Sequence, residues 1–228
     1  MANFPFDIVG FDLDGTLLDT GADLAAATNH ALALAGRPLL APEAVKAMIG
    51  RGAKAMLEQG LEASGGFDQA VMERVYPELL AYYEANIAVG TVPFPEMIEA
   101  LDRLAERGVR LAVVTNKFER LAVKLLDIMG LSSRFAAIIG GDTMGRGNAK
   151  PSALPIREMI RRCGGGRAAF VGDSIYDMLA AKNAGIPGIA VSFGFLMQPV
   201  EALQADAVID RFGELETVLE ALGSRHGA

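Results

Sequence analysis

The chain has 228 residues, about half of them hydrophobic and a fifth charged, which excludes a disordered polypeptide and allows one sizeable core or two modest ones. A formal net charge of −7 lacks the basic footprint of a nucleic-acid or anionic-lipid binder, and a single cysteine, Cys163, excludes an internal disulfide and fits a reducing, cytoplasmic setting. No apolar stretch reaches the ~18 residues of a membrane span, and the start Met1-Ala2-Asn3-Phe4-Pro5-Phe6-Asp7 has neither the basic region nor the apolar run expected of a secretory leader.

In chain order, residues 8–11 form a short apolar run that stops at Asp12 and reads as a buried strand. Residues 21–88 hold no convincing strand. Helices are predicted there at 22–34, 42–49 and 69–85, with Gly50-Arg51-Gly52 and Ser64-Gly65-Gly66 as breaks. Beyond them, Met97, Leu101, Leu104 and Ala105 line one face of a helix that Gly108 ends. Leu121, Leu125, Ile128 and Met129 do the same before Gly130, as do Met178, Leu179, Ala181 and Ala184 before Gly185. Apolar runs at 109–114, 136–139, 168–171 and 189–191, with a weaker one at 207–209, supply the other strands. Such alternation predicts an α/β fold with a parallel sheet covered on both faces. The expected division is a core of residues 1–20 and 90–228 with an all-helical domain inserted at 21–89. Two linkers, near 19–21 and 89–95, would then permit hinge motion.

Ligands of an open parallel sheet bind at the carboxyl ends of its strands. Four polar clusters follow the predicted strands: Asp12-Leu13-Asp14-Gly15-Thr16-Leu17-Leu18-Asp19, Thr115-Asn116-Lys117, Gly140-Gly141-Asp142-Thr143 with a loop to Lys150-Pro151, and Gly172-Asp173-Ser174-Ile175-Tyr176-Asp177. Two aspartates so close after a central strand repel unless a cation sits between them. Asp12, Asp14 and Asp173 offer the oxygen ligands that magnesium prefers. Gly15 and Thr16 are expected to turn backbone N–H groups toward a phosphate oxygen. Read alone, Asp14-Gly15 is equally an acidic turn.

The four clusters together resemble the motifs of the haloacid dehalogenase-like hydrolases. The first is the Asp12–Thr20 run, the second Thr115-Asn116, the third Lys150-Pro151 and the fourth the run from Gly172 to Asp177. Gly140-Gly141-Asp142-Thr143 and the Gly50-Arg51-Gly52 break are similar to the phosphoglycolate phosphatase branch. This resemblance implies a Rossmann-like core under a helical cap and a phosphatase acting on small phosphate monoesters, 2-phosphoglycolate first among them. It implies Asp12 as the nucleophile that forms an aspartyl-phosphate and Asp14 as the acid and then base. Thr115 and Lys150 would hold the phosphoryl oxygens, with Gly15, Thr16 and Asn116 also around the phosphate. Magnesium would lie between Asp12, Asp173 and Asp14, the last through its main-chain carbonyl, with Asp177 and Ser174 behind them.

Arg51, Lys54 and Lys117 are candidates to contact the rest of the substrate. His30 and His226 have no partner for a triad and read as structural or solvated, and Cys163 reads as a half-buried thiol rather than a nucleophile. Two departures from the family pattern bear on loop shape. The second proline of the third motif is shifted, in Lys150-Pro151-Ser152-Ala153-Leu154-Pro155, and Phe94-Pro95-Glu96 stands where a Pro-Gly pair is usual. The rival readings are a sugar-phosphate mutase with the same aspartates, a dehalogenase, a phosphonate hydrolase using Lys54 as a Schiff base, and a non-catalytic binding protein on the same fold. The molecule is expected as a monomer or homodimer with no nucleic-acid or membrane partner.

Overall fold

The computed structural model describes residues 4–225. The expectation for His226, and the reading of the first three positions, lie outside them. Six parallel strands form one sheet: β1 (Ile8–Phe11), β4 (Arg110–Val114), β5 (Ala137–Ile139), β6 (Ala168–Gly172), β7 (Gly188–Val191) and β8 (Ala207–Ile209), in the order β5-β4-β1-β6-β7-β8. β1 is therefore central, with Phe11 beside Val113 on one flank and Val171 on the other. Because successive side chains point to opposite faces, Ile8, Ala112, Val114 and Phe170 belong to one core, and Val9, Phe11, Val113 and Val171 to the other. Helices α7 (Leu154–Arg162) and α8 (Ile175–Ala184) cover the first face. Helices α5 (Met97–Glu106), α6 (Glu119–Ile128) and α9 (Leu215–Arg225) cover the second. Cys163, at the end of α7, is buried in the first core rather than half-buried.

Helices α1 (Gly21–Leu34), α2 (Pro42–Lys46), α3 (Ala53–Ala63) and α4 (Gln69–Ala85) form the insert between β1 and β4. Three were expected. α3 runs between the two glycine breaks and carries Met56, Leu57, Gly60 and Leu61 inward. α2 stops at Lys46, short of the predicted 49, and the chain continues in turns to Gly50. His30 stacks on Tyr82 within the insert, a packing role. Asn29 on α1 ties down the chain before α2 by bonding Leu40 through both its amide nitrogen and oxygen.

The linkers are joined to each other. β2 (Leu18–Asp19) and β3 (Val92–Pro93) pair antiparallel, two residues each and too short for a sequence pattern to reveal. Asp23, buried in the first turn of α1, accepts from the Gly90 N–H at 2.8 Å and the Thr91 hydroxyl at 2.7 Å. At the second departure from the family pattern, Glu96 takes the left-handed conformation, φ 62°. A glycine there would adopt it without the cost of roughly 1–2 kcal/mol that a Cβ incurs.

Removing the Asp23 carboxylate strands two donors that now share it. Asp23→Ala is expected to lower unfolding free energy by about 2–4 kcal/mol, and Asp23→Asn, which keeps one acceptor oxygen, by less. Urea denaturation followed by circular dichroism measures both, and a loss under about 0.5 kcal/mol for the alanine variant would refute the staple.

Candidate active site

Four strand ends meet at one mouth. Asp12 follows β1, its N–H bonded to the carbonyl of Val171 on β6 at 2.9 Å. The carboxylates of Asp12, Asp173 and Asp177 are buried, and each offers an oxygen within 4.8 Å of the others. Lys150 joins them from the loop before α7. Its Nζ lies 2.9 Å from Asp12 Oδ1 and 2.6 Å from Asp177 Oδ1. Asp177 Oδ2 accepts from the Ser174 N–H at 3.0 Å and its hydroxyl at 2.6 Å, which occupies both Asp177 oxygens at the start of α8. Asp12 Oδ1 also accepts from the Leu13 N–H at 2.7 Å, and Asp173 Oδ2 from the Phe195 N–H at 2.7 Å. The second oxygens of Asp12 and Asp173 have no hydrogen-bond or ion-pair partner among the described residues.

Three carboxylates against one ammonium leave this buried cluster short of positive charge. Burial pushes Asp12 up from the ordinary 3.8 to about 6, with Lys150 pulling it down and Asp177 and Asp14 adding to the rise. Burial, then Asp177 and Asp12, push Asp173 well above the usual range. Burial works against the charge of Lys150, but Asp12 and Asp177 outweigh it and its pKa ends raised. Two free carboxylate oxygens in so electron-rich a pocket suit a hard divalent cation that takes oxygen ligands.

Asp14 stands apart. The tight turn after Asp12, in which the N–H groups of Thr16, Leu17 and Leu18 all converge on the Leu13 carbonyl, swings it to the other side of the mouth. There Lys117 Nζ binds both its oxygens, at 2.6 and 2.7 Å, and the Thr20 hydroxyl donates to it at 2.7 Å. The side chains that gather are thus Asp12, Asp173 and Asp177, while the Asp14 carboxylate is taken up by Lys117 and Thr20. Lys117, expected as a candidate to contact substrate, lines the chamber but is buried against Asp14, with its charge 4.8 Å from the Tyr83 ring centre. Burial lowers its pKa, but Asp14 and Tyr83 more than offset that and it stays above the ordinary value. Burial pushes the Tyr83 phenol up to about 12, Lys117 pulling the other way.

Gly15 and Thr16 spend their N–H groups inside the turn, on Leu18 at 2.9 Å and Leu13 at 3.4 Å, so the expectation that these groups reach a phosphate is corrected. The N–H groups of Asp14 and Asn116 have no protein acceptor among the described residues. Gly15 serves another purpose: at φ +81° a Cβ would lie 2.1 Å from Asp173 Oδ2. Thr115 is buried at the end of β4 and lines the same chamber. The Asn116 side chain bonds two carbonyls rather than facing outward.

The chamber above Asp12 and Asp14 has a volume of about 210 Å³. Arg51 and Lys54, both exposed, line its rim, and Tyr76, Tyr83, Leu79 and Met56 line its insert side. Gly140 and Gly141 allow the loop after β5 to press against the loop after β4. A Cβ on Gly140 would lie 2.2 Å from the Glu119 nitrogen, and one on Gly141 would lie 2.6 Å from the Asn116 carbonyl. Sequence reasoning missed Thr20, Tyr83 and the Gly194-Phe195 turn after β7. Gly194 was the available signal there, since a Cβ would lie 2.3 Å from that of Asp173.

Fold and site together define a Rossmann-like parallel α/β protein with a buried carboxylate cluster at the end of its central strand. The chain belongs to the haloacid dehalogenase-like hydrolases, whose family model matches residues 9–191. It is similar to the phosphoglycolate phosphatase of Caulobacter vibrioides, 42% identical over 90% of this chain and 86% of that one. It is also similar to that of Agrobacterium fabrum, 41% identical over 96% and 94% respectively. Among solved structures, a predicted phosphoglycolate phosphatase from Haemophilus somnus superposes with a TM-score of 0.87 at 27% identity, over 94% of this chain and 98% of that one.

A raised carboxyl pKa means that the folded state binds a proton the unfolded chain has already released, so stability falls as pH climbs from about 4 through 6. In chelator, Asp12→Asn is expected to be more stable than the parent protein at pH 7.5, by about 1–3 kcal/mol, and to lose that advantage near pH 4. Lys150 keeps Asp177 as its partner in the variant. Denaturant titrations at the two pH values measure the difference, and equal or lower stability of the variant at pH 7.5 would contradict this electrostatic picture.

Proposed function

We propose that this protein is a magnesium-dependent phosphatase that hydrolyses small phosphate monoesters through an aspartyl-phosphate on Asp12, with 2-phosphoglycolate as its substrate. The observation that carries the reading is the state of Asp12. One oxygen is pinned by Lys150 and the Leu13 N–H, and the other is left without a protein partner on a chamber wall. The Asp12 oxygen forms a bond to phosphorus as the bond from phosphorus to the alcohol oxygen breaks. Asp14, on the other side of the mouth and steadied by Thr20 and Lys117, enters the step protonated, with one of the two Lys117 bonds opened to make room for that proton, and gives the proton to the departing alkoxide. It then takes one from the water that attacks phosphorus and frees Asp12, releasing inorganic phosphate. The Thr115 hydroxyl, the Lys150 ammonium and the N–H groups of Asp14 and Asn116 hold the phosphoryl oxygens. Asp12, Asp173 and the Asp14 carbonyl, with Asp177 behind them, would hold magnesium, which would supply positive charge to the phosphoryl group.

Residues 21–89 act as a cap in this reading. They bring Arg51 and Lys54 to the chamber rim, where a substrate carboxylate finds positive charge, and they exclude bulk water during turnover. The one cysteine is buried, and no helix among the described residues is long and apolar enough to cross a membrane. Both fit a cytoplasmic enzyme.

Phosphate release from 2-phosphoglycolate and a panel of sugar phosphates tests the proposal. Activity should require magnesium, vanish in EDTA and return on adding the metal. Asp12→Asn should abolish turnover, and Asp14→Asn should slow it by roughly 10²–10⁴-fold while sparing much of the substrate affinity. Hydrolysis that survives Asp12→Asn, or that proceeds after the metal is stripped, would overturn the mechanism. Preference for a sugar phosphate would overturn only the substrate.

A further inference from the structure

Asn116 occupies an unusual place between the two parts of the molecule. Its Nδ2 donates to the carbonyl of Gly50 in the insert at 2.9 Å and to the carbonyl of Lys150 in the core at 3.2 Å. Both partners are acceptors, so the orientation of the amide is dictated by its surroundings. Oδ1 meanwhile is buried without a partner. An unpaired buried acceptor is costly, and an apolar side chain of similar size would avoid that cost. The two bonds from Nδ2 offset it.

The insert is shaped to accept them. Gly50 and Gly52 have φ of +129° and +86°, conformations that side chains with a Cβ rarely adopt. A Cβ on Gly52 would lie 3.1 Å from the Asn116 carbonyl, and one on Gly50 would touch Ser174 and Tyr176. The Gly50–Gly52 loop thus lies against core loops from the ends of β4 and β6. Other contacts between insert and core lie elsewhere: Lys124 Nζ donates to the Glu84 carbonyl at 2.8 Å, and insert residues such as Met56 and Leu79 share an apolar cluster with Leu13 and Leu121 of the core. The ion pair of Lys46 with Asp19 at 3.3 Å and that of Arg120 with Glu84 are both a third or more exposed, where such pairs contribute little. Lys117 over Tyr83 is a contact of charge with ring.

We propose that the Asn116 side chain is the latch that holds the insert closed over the catalytic carboxylates, a positioning residue for the phosphatase reaction on whose assignment this inference rests. Its backbone N–H faces no protein acceptor and adjoins Thr115, so a phosphoryl group bound there orders the residue that also grips the cap. Occupancy of the phosphate subsite and closure are then linked through one residue.

Hydrogen exchange and steady-state kinetics on Asn116→Ala and the near-isosteric Asn116→Asp test the latch. In ligand-free protein, both variants should exchange residues 47–52 at least about fivefold faster than the parent, with the core strands still protected. The aspartate variant should be the worse of the two, because it sets an anion against two carbonyls. With 2-phosphoglycolate and magnesium, the KM of Asn116→Ala should rise about tenfold while kcat stays within about threefold, as expected when two hydrogen bonds favouring the closed state are lost. Unchanged exchange at 47–52, or a fall in kcat at constant KM, would overturn the proposal. If exchange rises throughout the core of Asn116→Ala, the aspartate variant decides by the same criteria. The exchange contrast needs no turnover, so failure of the phosphatase assignment would show separately, as absent phosphate release by the parent protein.

Discussion

Everything at the mouth of this sheet answers to one electrostatic constraint: three buried carboxylates share a single ammonium. Asp12, Asp173 and Asp177 come from two neighbouring central strands and the helix that follows one of them. The chain cannot separate them without unpairing β1 from β6. Lys150 neutralises one charge, and burial first, then the neighbouring carboxylates, raise the pKa values of Asp12 and Asp173. Such a cluster costs folding energy unless a ligand supplies positive charge. Surrounding loops are built to preserve the arrangement. Gly15 and Gly194 lack the Cβ atoms that would displace Asp173, and Ser174 holds Asp177 against Lys150.

The helical insert has its own constraint. It leaves the core after β2 and returns at β3, and those two short strands pair with each other. Asp23 then ties the start of α1 to the returning linker through Gly90 and Thr91. The two linkers thus leave and re-enter the core side by side, and the Gly50–Gly52 loop of the insert meets the core at Asn116.

Much of the core was legible because each strand is an apolar run ending abruptly at a polar group, and burial of a parallel strand on both faces demands such runs. Asp12, Thr115 and Asp173 could be placed at strand ends for that reason. α3 escaped because its pattern is diluted by the exposed Lys54 and Glu62 and the half-buried Glu58 and Gln59. The pairing of β2 with β3 spans two residues and leaves no periodicity to read. The exchange of Asp14 for Asp177 in the carboxylate cluster had a different origin. Spacing along the chain brought Asp14 close to Asp12, but the turn after Asp12 reverses the direction of its side chain, and only the partners Thr20 and Lys117 reveal which way it points. Close sequence spacing predicts proximity of backbones far better than proximity of side chains.

That reversal gives the site its division of labour. Two aspartates separated by one residue meet opposite environments: Asp12 shares its ammonium with another carboxylate, whereas Asp14 has Lys117 bound to both its oxygens. Asp12 has one oxygen held and one free, the arrangement that the proposed nucleophilic role needs, and the Thr20 hydroxyl helps to hold Asp14 away from the other carboxylates, as the proposed acid–base role needs. Were both side chains in the same cluster, four carboxylates would crowd one pocket. The single reversed turn between Leu13 and Leu18 avoids that crowding, and it requires a glycine at position 15 because the backbone there runs against Asp173.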